Sequence, residues 1–107
     1  LPGSRLRQTQ QLHDFIAREV PADAPLLVAG DFNDWGNAVS RMMATVGLHT
    51  NMGRQYPTYP SRLPLAQLDH VYARGVHRVT THVPRGPIWG RMSDHLPLLV
   101  EFAWDTP

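Results

Sequence analysis

The sequence predicts one small α/β layer, a mostly antiparallel or mixed sheet carrying two helices on one face. Three observations lead there. Helical periodicity occurs twice, over 7–20 and 37–46. Short apolar or β-branched runs bounded by glycine and proline recur at 26–29, 68–73, 76–83 and 96–104. A chain of 107 residues supports one modest core and not two, so 1–107 is expected to form a single unit.

The elements follow in order. Over Arg7 to Val20, Leu12, Phe15, Ile16 and Val20 share one helical face while Arg7, Gln8, Gln11, Asp14 and Arg18 lie elsewhere, an amphipathic helix that Pro21 and Pro25 stop. Leu26-Leu27-Val28-Ala29 then reads as a strand buried on both faces and ended by Gly30. Val39, Met42, Met43 and Val46 mark a second helix from about Asn37, with Gly47 as its C-terminal cap. From Asn51 to Pro64, Gly53, three prolines, Tyr56 and Tyr59 point to a long ordered loop. Leu68 to Ala73 and Val76 to Val83 read as strands that turn at Gly75 into a hairpin. Pro84 to Met92 reads as a loop, and Leu96 to Trp104 as the last strand.

Composition removes whole classes of chemistry. With no cysteine there is no disulfide, thiolate zinc site or cysteine nucleophile; all ten basic residues are arginine, so no lysine nucleophile exists either. A net charge of +1 argues against wholesale electrostatic wrapping of nucleic acid. No run approaches the roughly 18 apolar residues of a membrane helix, and the first residues lack a secretory pattern, so the expectation is a cytoplasmic protein with no transmembrane segment. Leu1 in place of an initiating methionine fits a processed chain or a piece of a longer one.

Three of the few acidic residues stand at strand ends: Asp31 after the first strand, Asp69 at the start of the second, Asp94 before the last. If the first strand runs antiparallel to those beginning near Leu68 and Leu96, then Asp31, Asn33, Asp69, Asp94 and His95 converge on one edge. Asp-x-Asn after a buried strand and Asp-His before another are what a hard divalent cation and an acid-base pair require. Local explanations also exist: an Asx-turn accounts for Asp31 and Asn33, a loop cap for Asp69, and a packed or surface imidazole for His95.

Taken in order, Gly30-Asp31-Phe32-Asn33-Asp34, Leu68-Asp69-His70-Val71 and Ser93-Asp94-His95-Leu96-Pro97 resemble the last three motifs of the endonuclease/exonuclease/phosphatase superfamily. The likeness spans essentially the whole chain, and the stretch from Thr58-Tyr59-Pro60 to His95 is most similar to bacterial members. The family includes DNase I-like nucleases, abasic-site endonucleases, inositol-polyphosphate phosphatases and sphingomyelinases. The resemblance implies the C-terminal half of a four-layer α/β/β/α sandwich and hydrolysis of a phosphodiester or phosphomonoester with Mg²⁺ or Mn²⁺. It implies that Asp31 orients or deprotonates the attacking water and contributes to the metal site. Asn33 would hydrogen-bond the phosphate, Asp94 would hold the metal, His95 would bind the scissile phosphate, and Asp69 would fix the His95 tautomer. Arg91, Trp89 and Tyr59, with Arg54, would border the substrate, whether nucleic acid, phospholipid headgroup or inositol phosphate.

The family also carries an earlier half with a metal-binding glutamate, an asparagine and a second histidine. Only Glu19 and Glu101 are present here, neither in that context, so the isolated chain is expected to be inactive. Leu27, Val71, Leu98 and Val100, or their period-two neighbours, are then expected to need a cover, from a second copy in a homodimer or from the missing half. Three other readings stand beside this one: a non-catalytic metal- or partner-binding module, a nucleic-acid binder stacking on Tyr56, Tyr59 and Trp89, and a glycosidase using Asp31 with Asp94.

Overall fold

In the computed structural model, residues 2–32, 36–50 and 56–106 are described. The order of elements is α1 (Pro2–Glu19), β1 (Leu26–Asp31), α2 (Gly36–Ala44), β2 (Asp69–Arg74), β3 (Val76–His82), α3 (Pro87–Met92) and β4 (Leu99–Trp104). The fold is α/β as expected, but its strands form two small antiparallel sheets, β1 with β2 and β3 with β4. The expected hairpin between β2 and β3 is therefore incorrect. One residue separates these strands, too few for them to fold back on each other. Gly75, at φ +74°, instead hands the chain from one sheet to the other. It lies so close to Pro25 that a Cβ there would come within 2.9 Å of the proline backbone.

The core is built against one face of β1–β2. Ile16 from α1, Val39 and Met43 from α2, Leu48 and Tyr72 are buried together, with Val20, Leu26, Val28, Phe32 and Val46 packed around them. Leu12 and Phe15, predicted on the buried face of α1, are exposed, while Ile16 and Val20 of the same stripe join the core. α2 ends as its sequence indicated. Gly47 adopts φ +78°, its N–H donates to Ala44 O, and Leu48 N–H donates to Met43 O, the paired bonds of a Schellman cap that also bring Leu48 onto Met43. His13 ties α1 to the turn after α2 through a 2.8 Å contact between Nε2 and Thr45 Oγ1.

β1 is not buried on both faces, and it runs through Gly30 to Asp31. Leu26 and Val28 face the core while Leu27 and Ala29 are exposed, the alternation of a sheet covered on one side. Arg74 closes the far end, its guanidinium donating to the carbonyls of Ala24, Val46 and Pro21. In the other sheet a register shift between Arg78 and Thr80 marks a bulge. The segment read as a loop before Ser93 contains the short helix α3, with Pro87 at its start, so the described residues hold three helices and not two. β4 begins at Leu99, three residues later than expected. No helix among the described residues is long and apolar enough to cross a membrane.

Candidate active site

The site stands at the end of the β1–β2 ladder. Antiparallel pairing begins at Leu26↔Arg74 and ends at Asp31↔Asp69, placing two carboxylates directly opposite each other on the last rung. They lie on the sheet face away from the helices, because Tyr72 and Val28, on the alternate positions, point into the core. Asp31 is exposed and Asp69 half-buried.

His95 arrives from the segment before β4. Its Nδ1–H donates to Asp69 Oδ2 at 2.8 Å, and its Nε2 lies 3.6 Å from Asp31 Oδ2. The second distance is an ion-pair separation, too long for a direct hydrogen bond, and leaves Nε2 directed at the opening between the two groups. The hydrogen bond to Asp69 holds the His95 imidazole above its ordinary pKa; partial burial opposes this, and the charges of Asp69, Asp31 and Asp94 add to the rise. Asp31, Asp69 and His95 offer ligand atoms that all lie within 4.8 Å of one another.

An open pocket of about 260 Å³ adjoins them, lined by Ala29, Val71, Leu96 and Leu98 behind the polar group. It is a shallow site with an acidic mouth and an apolar wall.

Sequence reasoning missed Thr58. This fully buried residue donates its hydroxyl to Asp69 Oδ2, the same oxygen that receives His95. Its backbone is locked at both ends: Thr58 N–H donates to Ala66 O, and Leu96 N–H donates to Thr58 O at 2.7 Å. The loop also reaches Ser93 and Asp94, since Ser61 Oγ–H donates to Ser93 O and Ser61 N–H to Asp94 O. One irregular segment thus positions both Asp69 and the turn that carries His95. The signals it gave were the density of proline and tyrosine around it and its place at the start of the stretch similar to bacterial family members.

The other predicted site residues divide. Tyr59 packs its ring at 5.0 Å from that of His95. Trp89, half-buried, and Arg91, exposed, lie on α3, which precedes the His95 turn. Asp94 is exposed and stands outside the three-residue group, although its charge acts on His95. Asn33 and Arg54 lie outside the described residues. His70, adjacent to Asp69 in sequence, faces the opposite way. Its ring lies at 6.0 Å from that of Tyr72 and 6.2 Å from that of Phe32, and its Nε2 has no hydrogen-bond partner among the described residues.

A model of the Endonuclease/Exonuclease/phosphatase family matches residues 1–95, which include all three members of the Asp31–Asp69–His95 group. The chain belongs to this family. Among relatives, it is 32% identical over 102 residues to the uncharacterized protein YbhP of Escherichia coli, covering 91% of this chain and 40% of YbhP. It is 34% identical over 103 residues to a UPF0294 protein of Vibrio vulnificus, covering 91% of this chain and 34% of that protein. A UPF0294 protein of Vibrio cholerae is 40% identical over 86 residues, covering 73% of this chain and 27% of its own length. The chain therefore spans well under half of each relative. No solved structure matches it. The family's description spans endonucleases, exonucleases and phosphatases, and the relatives' names specify no activity.

The donor set suits the divalent metals used in the endonuclease/exonuclease/phosphatase family. Asp31 presents an exposed carboxylate, a hard oxygen donor, at the pocket mouth. Asp69 Oδ2 accepts from His95 Nδ1, and Asp31 and His95 both line the pocket, with Nε2 on the side of Asp31.

Proposed function

We propose that this chain carries the Asp–His part of the catalytic centre of a divalent-metal-dependent phosphoesterase. The observation that supports it is His95 standing between Asp69 at 2.8 Å and Asp31 at 3.6 Å, at the mouth of an open pocket. In this reading Asp69 accepts from Nδ1, orients the ring and favours its protonated form, and Thr58 holds Asp69 in place. The protonated Nε2–H then donates to a non-bridging oxygen of the phosphate or to the leaving oxygen. Asp31 orients the attacking water and accepts its proton, with Asn33 as a second donor to the phosphate. Mg²⁺ or Mn²⁺ held by Asp31, with Asp94 as an outlying carboxylate, would supply charge neutralisation at the phosphoryl group. Tyr59, Trp89 and Arg91 border the substrate, and the chain provides one sheet-and-helix side of an α/β/β/α sandwich.

The test is hydrolysis of bis(p-nitrophenyl) phosphate with Mg²⁺ or Mn²⁺. The full-length protein is expected to turn it over, and His95→Ala and Asp31→Ala each to lower kcat by about a hundredfold or more. The isolated chain is expected to show negligible turnover. Full activity in His95→Ala would overturn the assignment. In the same reading the exposed face around Leu27 is covered in the working protein, so the isolated chain should self-associate, and light scattering showing only monomer would count against this.

A further inference from the structure

Four of the large apolar side chains most open to solvent lie in two short segments beside the site. Leu63 and Leu65 belong to the loop that carries Thr58 and Tyr59, while Ile88 and Met92 belong to α3; all four are between 60% and 74% exposed. The segments pack against each other. Ser61 bonds to Ser93 and Asp94, and a Cβ at Gly90 would come within 3.0 Å of Arg62 Cγ, so α3 uses glycine where the arginine stem lies across it. Ile88 and Met92 are four residues apart and share one side of α3.

Charge accompanies this apolar surface. Residues 56–68 and 83–93 contain Arg62, Arg85 and Arg91, all exposed, and no carboxylate. The acids that follow these segments in sequence are Asp69, a member of the site, and Asp94, exposed next to His95. Exposed aliphatic chains in segments whose only charges are arginine, and which also carry Tyr59 and Trp89, have the composition of a surface that sits in a lipid interface. The aliphatic groups enter the acyl boundary and the guanidinium groups remain at headgroup level. A nucleic-acid surface uses aromatic stacking and a long basic track, and gives no role to Leu63, Leu65, Ile88 and Met92.

We propose that the loop around Leu63–Leu65 and helix α3 dock the protein on an anionic phospholipid membrane, presenting the Asp31–His95 site to phosphoesters at headgroup depth. This rests on the phosphoesterase reading and narrows its substrate to one met at a membrane surface. The link to the site is direct, because Tyr59 in the docking loop packs on His95 and Thr58 holds Asp69.

The experiment is co-sedimentation of the full-length protein with vesicles of phosphatidylcholine, with and without phosphatidylglycerol. Binding is expected to the anionic vesicles. Partition should fall by about tenfold or more in the double variant Leu65→Ser/Ile88→Ser, and likewise in Leu63→Ser/Met92→Ser. Arg85→Ala should weaken it severalfold at low salt and less at high salt. Hydrolysis of soluble bis(p-nitrophenyl) phosphate should be unchanged in the apolar variants, and their melting temperatures close to that of the parent. Equal binding by parent and apolar variants would overturn the proposal. So would displacement from vesicles by single-stranded DNA at the same salt with no effect of the apolar substitutions. A dimer that these substitutions dissociate, with no vesicle binding by the parent, would assign the surface to a second copy instead. Vesicle binding without any hydrolysis would leave this surface standing and remove the phosphoesterase reading.

Discussion

Asp31 and Asp69 are cross-strand partners on the terminal rung of the β1–β2 ladder, and one imidazole, that of His95, lies against both. Like charges directly opposite on a sheet repel each other, and a protonated His95 offsets that repulsion while its Nε2 stays directed at the pocket. The arrangement gives the three groups proposed for catalysis a part in stability as well.

His95→Ala is expected to destabilise the protein, because it leaves the two carboxylates facing each other. Adding Asp31→Asn should recover part of the loss, with a coupling of about 0.5–3 kcal/mol in a double-mutant cycle measured by urea unfolding. Strictly additive effects would show that the imidazole does not mediate between the carboxylates.

The histidines on the two faces of β2 should give opposite pH dependences. His95 has its pKa raised above the ordinary 6.5 by its bond to Asp69, so its contribution is complete below 6.5 and is lost as pH rises through the raised value. Burial pushes His70 below 6.5 despite its bond to the Gln67 backbone, so the unfolded chain takes up the proton first and stability falls as pH drops below 6.5. NMR titration of the two imidazoles should show the separation, and Asp69→Asn should lower the His95 value.

Thr58→Val should cost about 1–3 kcal/mol, since it removes a fully buried donor from Asp69. Its effect on hydrolysis should appear in kcat and in the pH profile, because the variant frees Asp69 to turn away from His95. Thr58→Ser keeps the hydroxyl and should restore both. An unchanged pH profile in Thr58→Val would limit Thr58 to a packing role.

Gly75→Ala should destabilise by about 1–3 kcal/mol, measured by thermal or urea unfolding. Two effects add at this position: φ is +74°, and the new methyl would meet the Pro25 backbone, which has no side-chain freedom to yield. Gly30→Ala, with its nearest neighbour at 3.8 Å, serves as the milder comparison.

Local chemistry made much of this molecule legible before any tertiary structure. The 3.6-residue spacing of Val39 and Met43, the Gly47 cap and the strand runs at 26–31 and 69–74 depend on neighbours in sequence, and they were read to within a few residues. The proline- and glycine-rich stretch before Ser93 was misread as loop throughout, because α3 is a single short helix with no buried face to imprint a period. Asp31, Asp69, Asp94 and His95 stood out as polar groups at strand ends. Which strands pair, that Asp31 faces Asp69, that His95 bridges them while Asp94 stays outside, and that Thr58 completes the group were decided by tertiary structure alone. Pairing and register are set by long-range burial of Tyr72 and Val28 on one face, and by Gly75 passing the chain to a second sheet. No pattern within a window of neighbouring residues carries those contacts.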